Sequence, residues 1–73
     1  MRKDINYKNG ELDGEYKKWY KDGQLAIDAN YKNDKLDGEY KEWYENGQLE
    51  IDAKYSNGKE IYRYEYSKKG NKI

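Results

Sequence analysis

Leu12-Asp13-Gly14-Glu15-Tyr16-Lys17-Lys18-Trp19-Tyr20 returns almost unchanged as Leu36-Asp37-Gly38-Glu39-Tyr40-Lys41-Glu42-Trp43-Tyr44. Each copy runs into a turn signal, Asp22-Gly23-Gln24-Leu25 or Asn46-Gly47-Gln48-Leu49. Residues 14 and 38, 19 and 43, and 23 and 47 keep one offset of 24. A fixed period of this length marks a repeat protein, in which each copy is one supersecondary unit that buries its faces against its neighbours.

Two-residue turn signals fence the chain at Asn9-Gly10, Asp22-Gly23, Asn33-Asp34, Asn46-Gly47 and Asn57-Gly58. Asn-Gly and Asp-Gly suit the type I′ turn, whose positive φ angles match the twist of the flanking strands. Asp34 replaces the glycine of the related turns, and aspartate tolerates the left-handed region. Between the turns, Leu25, Ile27, Ala29 and Tyr31 alternate with polar residues, as do Leu49, Ile51, Ala53 and Tyr55; period two over such a run is a half-buried strand. Tyr16, Trp19 and Tyr20 would also fit a helix face. The short span between Gly14 and Gly23, or Gly38 and Gly47, and the aromatic content favour a strand. The pattern predicts an all-β fold: an antiparallel meander of about six strands in one single-layer, curled sheet, because the connections are too short for crossovers.

Two-residue turns throughout place Lys21 opposite Gln24, Tyr20 opposite Leu25, Lys18 opposite Ile27, Tyr31 opposite Leu36 and Tyr44 opposite Leu49. In this register one face collects Tyr7, Leu12, Tyr16, Tyr20, Leu25, Ile27, Tyr31, Leu36, Tyr40, Tyr44, Leu49, Ile51, Tyr55, Tyr62, Tyr64 and Tyr66, whereas a one-residue slip would scatter them. Gly14 falls opposite Tyr31 and Gly38 opposite Tyr55, so a tyrosine ring is expected to lie across each glycine. Gly23 and Gly47 serve the turns. Tyr62 stands where the glycine would recur. The chain is therefore read as one domain, residues 1–73, with repeats at about 7–30 and 31–54 and a degenerate capping repeat at 55–73.

Composition narrows the function. There is no cysteine and no histidine, which removes disulfides, thiolate metal sites and the commonest general base. Lys plus Arg equals Asp plus Glu at 15 each, so no net charge draws the chain to nucleic acid or an anionic membrane. High charge with low apolar content would favour disorder, but ten tyrosines and two tryptophans argue for a folded chain. Residues 1–7 contain no apolar run, so neither a signal peptide nor a membrane span is expected there, and cytoplasmic residence is the default.

Gly38-Glu39-Tyr40-Lys41-Glu42-Trp43-Tyr44-Glu45-Asn46-Gly47, followed by Tyr55-Ser56-Asn57-Gly58-Lys59, resembles the variant form of the MORN (membrane occupation and recognition nexus) repeat. The resemblance covers about the whole chain, as two full copies and one worn one. It implies an interaction module, and for bacterial proteins of this kind it implies an antitoxin component of a toxin-antitoxin pair. Trp43-Tyr44 running into Asn46-Gly47 is also similar to choline-binding and cell-wall-binding repeats, which hold quaternary ammonium groups in aromatic cages.

No phosphate loop, zinc motif or nucleophile with a histidine partner is present. Asp28 and Asp52, or Glu15 and Glu39, recur at the repeat spacing, which is the mark of structure rather than of an active site. The register sets Asp28 against Lys17 and Asp52 against Lys41 and Arg63, giving cross-strand ion pairs. The reading is a non-enzyme without cofactor or metal, whose partner is another protein or a second copy of itself. The tyrosine face is either the core of a sheet curling onto itself or an open docking patch. As a patch, its contact residues are Tyr16, Tyr20, Tyr40, Tyr44, Tyr64 and Tyr66. Trp19 and Trp43 fall on the other face, about 10 Å apart across one strand. They either pack over Ala26 and the stems of Lys17 and Lys41, or anchor the alternative choline or cell-wall glycan ligand.

Overall fold

The computed structural model describes residues 2–73; Met1, the start of the segment read above as free of an apolar run, lies outside the described residues. Six strands follow one another: β1 (Arg2–Lys8), β2 (Glu11–Trp19), β3 (Leu25–Lys32), β4 (Lys35–Trp43), β5 (Leu49–Ser56) and β6 (Lys59–Glu65). They form one sheet in sequence order, each antiparallel to the next. The sheet stays open and measures 40 × 29 × 9 Å. At one layer thick it does not close on itself, so neither face becomes a sealed core.

Two kinds of turn alternate. At Asn9-Gly10, Asn33-Asp34 and Asn57-Gly58 both central residues have positive φ, between 51° and 84°, which is the expected type I′ hairpin. At Asp22-Gly23 and Asn46-Gly47 only the glycine does, at 91° and 87°. Here the loop has three residues: Gly23 N donates to Tyr20 O at 2.9 Å and Tyr20 N to Gln24 O at 2.7 Å, a type I turn closed by a glycine bulge. The Asp22 carboxylate accepts from Gln24 N at 3.0 Å, and Asn46 Oδ1 accepts from Gln48 N at 2.9 Å. These side chains hold their own loops in the longer form.

The longer loop corrects the register at its end of the sheet. Trp19, not Tyr20, stands opposite Leu25, and Trp43, not Tyr44, opposite Leu49. Ala26 and Glu50 are the extra residues that absorb the slip, after which Lys18–Ile27 and Glu42–Ile51 pair. Leu25 and Leu49 therefore join the tryptophans, on the face opposite the one expected. A sixth reversal was not foreseen: Gly70 has φ 90°, Ser67 N donates to Asn71 O at 2.8 Å, and Lys72 bridges Tyr66.

At the other end, Gly14 and Gly38 pair with Tyr31 and Tyr55 as expected, but the rings do not explain the glycines. Tyr31 leans on Tyr16, with centroids 5.4 Å apart, and Tyr55 on Tyr40 at 6.1 Å. Gly14 and Gly38 have φ of 99° and 108° because they sit in wide bulges. Asp13-Gly14-Glu15 opposes the single residue Asn6, and Asp37-Gly38-Glu39 opposes Asn30. The nearest atom to a Cβ at either glycine would be the asparagine Cβ, at 3.5 Å. Asn6 Nδ2 donates to Glu15 O at 3.0 Å and Asn30 Nδ2 to Glu39 O at 3.4 Å, satisfying a carbonyl that the bulge takes out of the ladder. The glycine follows the asparagine by eight positions in both copies, and at the third both are replaced, by Lys54 and Tyr62.

There the bulge shrinks: only Ile61 is extra between Tyr55–Glu60 and Lys54–Tyr62. This single residue reverses the parity of β6. Tyr62 and Tyr64 are thereby placed on the tryptophan face, against the expectation, and Arg63 pairs with Ala53 while Tyr64 pairs with Asp52.

Candidate interaction surface

Unbroken rows of paired residues run across all six strands. On the tyrosine face one row is Ile5, Tyr16, Ala29, Tyr40, Ala53 and Arg63, and the next is Lys3, Lys18, Ile27, Glu42, Ile51 and Glu65. Beyond the bulges, Leu36 stands against Tyr31 and Leu12 against Tyr7. Ala29 and Ala53 are fully buried under the neighbouring rings, and Ile51 is 7% exposed. The tyrosines are only half-buried, and no large side chain is fully buried among the described residues. Small residues thus lie under large ones within one layer, and the outer surface of the rings is left to solvent.

The opposite face carries a row of alternating charge: Asp4, Lys17, Asp28, Lys41, Asp52, ending at Tyr64. The register of Asp28 with Lys17 and of Asp52 with Lys41 is as expected, but the ion pairs are not. Among the described residues, Lys17 pairs with Glu15 at 3.8 Å and Arg63 with Glu65 at 2.8 Å and Glu60 at 3.7 Å. At such exposure these contribute at most a few tenths of a kcal/mol to about 1 kcal/mol each.

The predicted contact residues divide into three groups. Tyr16 and Tyr40 share the tyrosine face with Tyr31 and Tyr55. Tyr64 is on the other face with Tyr62, their rings 5.4 Å apart and Lys72 Nζ 4.0 Å from the Tyr64 centroid. Tyr20, Tyr44 and Tyr66 lie at the turn end, where the first two are bolts: Tyr20 Oη donates to Trp43 O at 2.5 Å and Tyr44 Oη to the backbone carbonyl of Tyr66 at 2.8 Å. These two phenols each reach past one strand into the following repeat. Ser67 stands where the next tyrosine would, at the head of the last turn.

Other links between repeats escaped the sequence reading. Asp34 accepts from Leu12 N at 2.6 Å, and Asp37 from Asn57 N at 3.1 Å. Gln24 Oε1 lies 3.2 Å from the Cβ position of Gly47, and Gln48 Oε1 3.1 Å from that of Gly70. The repetition of Asn6 at Asn30 and of Gln24 at Gln48 was the available signal.

Trp19 and Trp43 share the second face as expected, on either side of β3. Arg2 lies over the Trp19 ring, its guanidinium carbon 4.2 Å from the centroid, and Leu25 stands opposite the same ring. One face of that indole is therefore already taken by a cation of the chain itself.

Three phenols at this surface, Tyr40, Tyr31 and Tyr20, are raised above the ordinary phenol range. Burial, then the hydrogen bond to Glu42, pushes Tyr40 well above the ordinary phenol range. Burial also raises Tyr31, with Tyr16 beside it adding to the effect. It raises Tyr20 as well, helped by the carboxylates of Glu45, Glu50 and Glu42. Neutral phenols on an aliphatic floor can pack and donate hydrogen bonds. Among the described residues no cluster of three or more His, Cys, Asp or Glu side chains could hold a metal, and no helix is long and apolar enough to cross a membrane.

Hairpins bolted one to the next in a single open layer define a β-hairpin repeat protein. The family described as MORN repeat variant matches residues 12–33 and again 36–57, more than half of the chain, and the chain belongs to that family. Repeats of this family are in general interaction modules, for proteins or membranes, and in general not catalytic. No curated protein and no solved structure matches the chain.

Proposed function

We propose that this chain is a non-catalytic protein-interaction module whose docking surface is the tyrosine face. The observation that carries the reading is the combination of one open layer 9 Å thick with a face of Ile5, Tyr16, Tyr31, Tyr40, Tyr55, Ile27 and Leu36 that none of the described residues covers. Half-exposed aromatics on a rigid floor lose little side-chain entropy on docking and supply large contact area. Tyr20 and Tyr44 support this surface through their bolts rather than by offering free hydroxyls. The finer reading within this class is a toxin-neutralising partner.

The test compares Ile27→Lys with Asp28→Lys, adjacent positions on opposite faces, after circular dichroism has confirmed that both fold. A partner cross-linked in lysate of the source cells by wild type and Asp28→Lys, but lost with Ile27→Lys, is the expected result. Equal capture by all three removes the tyrosine face as the site. A captured partner that arrests growth alone and is silenced on co-expression identifies the toxin-neutralising case.

A further inference from the structure

Resting on that reading of the tyrosine face, we infer that its occupant is a second copy of this chain, packed face to face about a two-fold axis parallel to the strands between β3 and β4. Such an axis lays β1 over β6 of the partner copy, β2 over β5 and β3 over β4, and sets each cross-strand row against the same row in reverse order. The row Ile5, Tyr16, Ala29, Tyr40, Ala53, Arg63 then matches itself: Tyr16 falls over the second copy's Ala53, and Tyr40 over its Ala29. The alanines are the two fully buried residues of the face, so large side chains meet shallow positions, and Tyr31 falls over Leu36, its neighbour across β3 and β4.

Charge is self-complementary at the edges of the next row, while its inner positions set Lys18 over Ile51 and Glu42 over Ile27. The row Lys3, Lys18, Ile27, Glu42, Ile51, Glu65 is basic at the β1 edge and acidic at the β6 edge. Reversal brings Lys3 to Glu65 of the second copy, twice in the dimer by symmetry. Within one chain these residues stand at opposite edges, about 24 Å apart over five inter-strand spacings; Glu65 already accepts from Arg63 Nε at 2.8 Å, so Lys3 of the second copy joins that pair at the edge. The area is sufficient: a face of 40 × 29 Å exceeds the roughly 800 Å² per partner of a standard interface. Two sheets of like twist stack with their strands within about 30° and about 10 Å apart, and an isologous two-fold contact closes without leaving an open surface for fibres.

Size-exclusion chromatography with light scattering over a tenfold concentration range tests the inference. Wild type is expected to elute as a dimer. Lys3→Glu and Glu65→Lys are each expected to weaken dimerisation roughly tenfold, two like-charge pairs replacing two attractive ones. Mixing the two variants restores the dimer, because the new carboxylate at position 3 of one chain then meets the new ammonium at position 65 of the other, while the native pair survives on the second side. A wild-type monomer at every concentration, or variants not restored on mixing, overturns the inference. Neither result touches the docking reading, which falls on equal partner capture by wild type, Asp28→Lys and Ile27→Lys.

Discussion

The phenol of Tyr20 donates to the main-chain carbonyl of Trp43, 2.5 Å away and 23 residues on in the chain. Tyr44 makes the same bond to Tyr66, so consecutive repeats are fastened by one device used twice. Removing a hydroxyl leaves a part-buried carbonyl with one partner fewer. Tyr20→Phe and Tyr44→Phe are each expected to lower stability by about 0.5–1.5 kcal/mol, read from the urea midpoint at constant m-value. An unchanged midpoint for both would show that water replaces the phenol without cost.

Gly38 sits in its bulge at φ 108° with ordinary space around a Cβ. Gly38→Ala should therefore cost conformational strain, roughly 1–3 kcal/mol, and not a clash. Asn30→Ala should cost about 0.5–1.5 kcal/mol through the Glu39 carbonyl. The double variant should fall short of the sum, since both residues serve one bulge. Strict additivity in urea titrations would separate the two roles.

Alkaline pH should unfold the protein through its tyrosines. Tyr40, Tyr31 and Tyr20 are raised above the ordinary phenol value of 10.0 by burial. A raised folded-state pKa stabilises fully below the unfolded value, and that stabilisation is lost as pH rises from about 10 through the folded values, because the unfolded chain ionises first. The urea midpoint should be flat in this respect below pH 9 and fall above about pH 10, with a shallower fall in Tyr40→Phe. An equal slope in that variant would remove Tyr40 from the account.

The Arg2 guanidinium covers one face of the Trp19 ring, in a cleft shared with Tyr20, Lys21 and Gly23, so a quaternary ammonium would have to displace it. Tryptophan emission is expected to stay unchanged with choline or cell-wall glycan fragments, whereas Arg2→Ala should alter the Trp19 contribution. A saturable change on adding choline would instead place a ligand at the tryptophans.

The sequence alone determined the period, the number and order of the strands, their antiparallel pairing and the register in the middle of the β2–β3 and β4–β5 pairs. Gly14–Tyr31, Lys17–Asp28 and Gly38–Tyr55 all follow from alternation and turn spacing, because a slip of one residue would turn every apolar side chain outward. Only the tertiary structure decided the parity at the strand ends. Asp22-Gly23 is written with the residues of a two-residue turn but closes a three-residue loop, and Ile61 is extra on β6 for want of the Asn–Gly pair that shapes the earlier bulges. Each choice rests on hydrogen bonds to the loop's own side chain or to the neighbouring strand, which periodicity does not encode. One residue at each place moved Leu25, Leu49, Tyr62 and Tyr64 to the other face. The same bonds make Tyr20 and Tyr44, predicted as contact residues, bolts between repeats as well, since the carbonyls they meet are brought within reach only when the next repeat has folded against them.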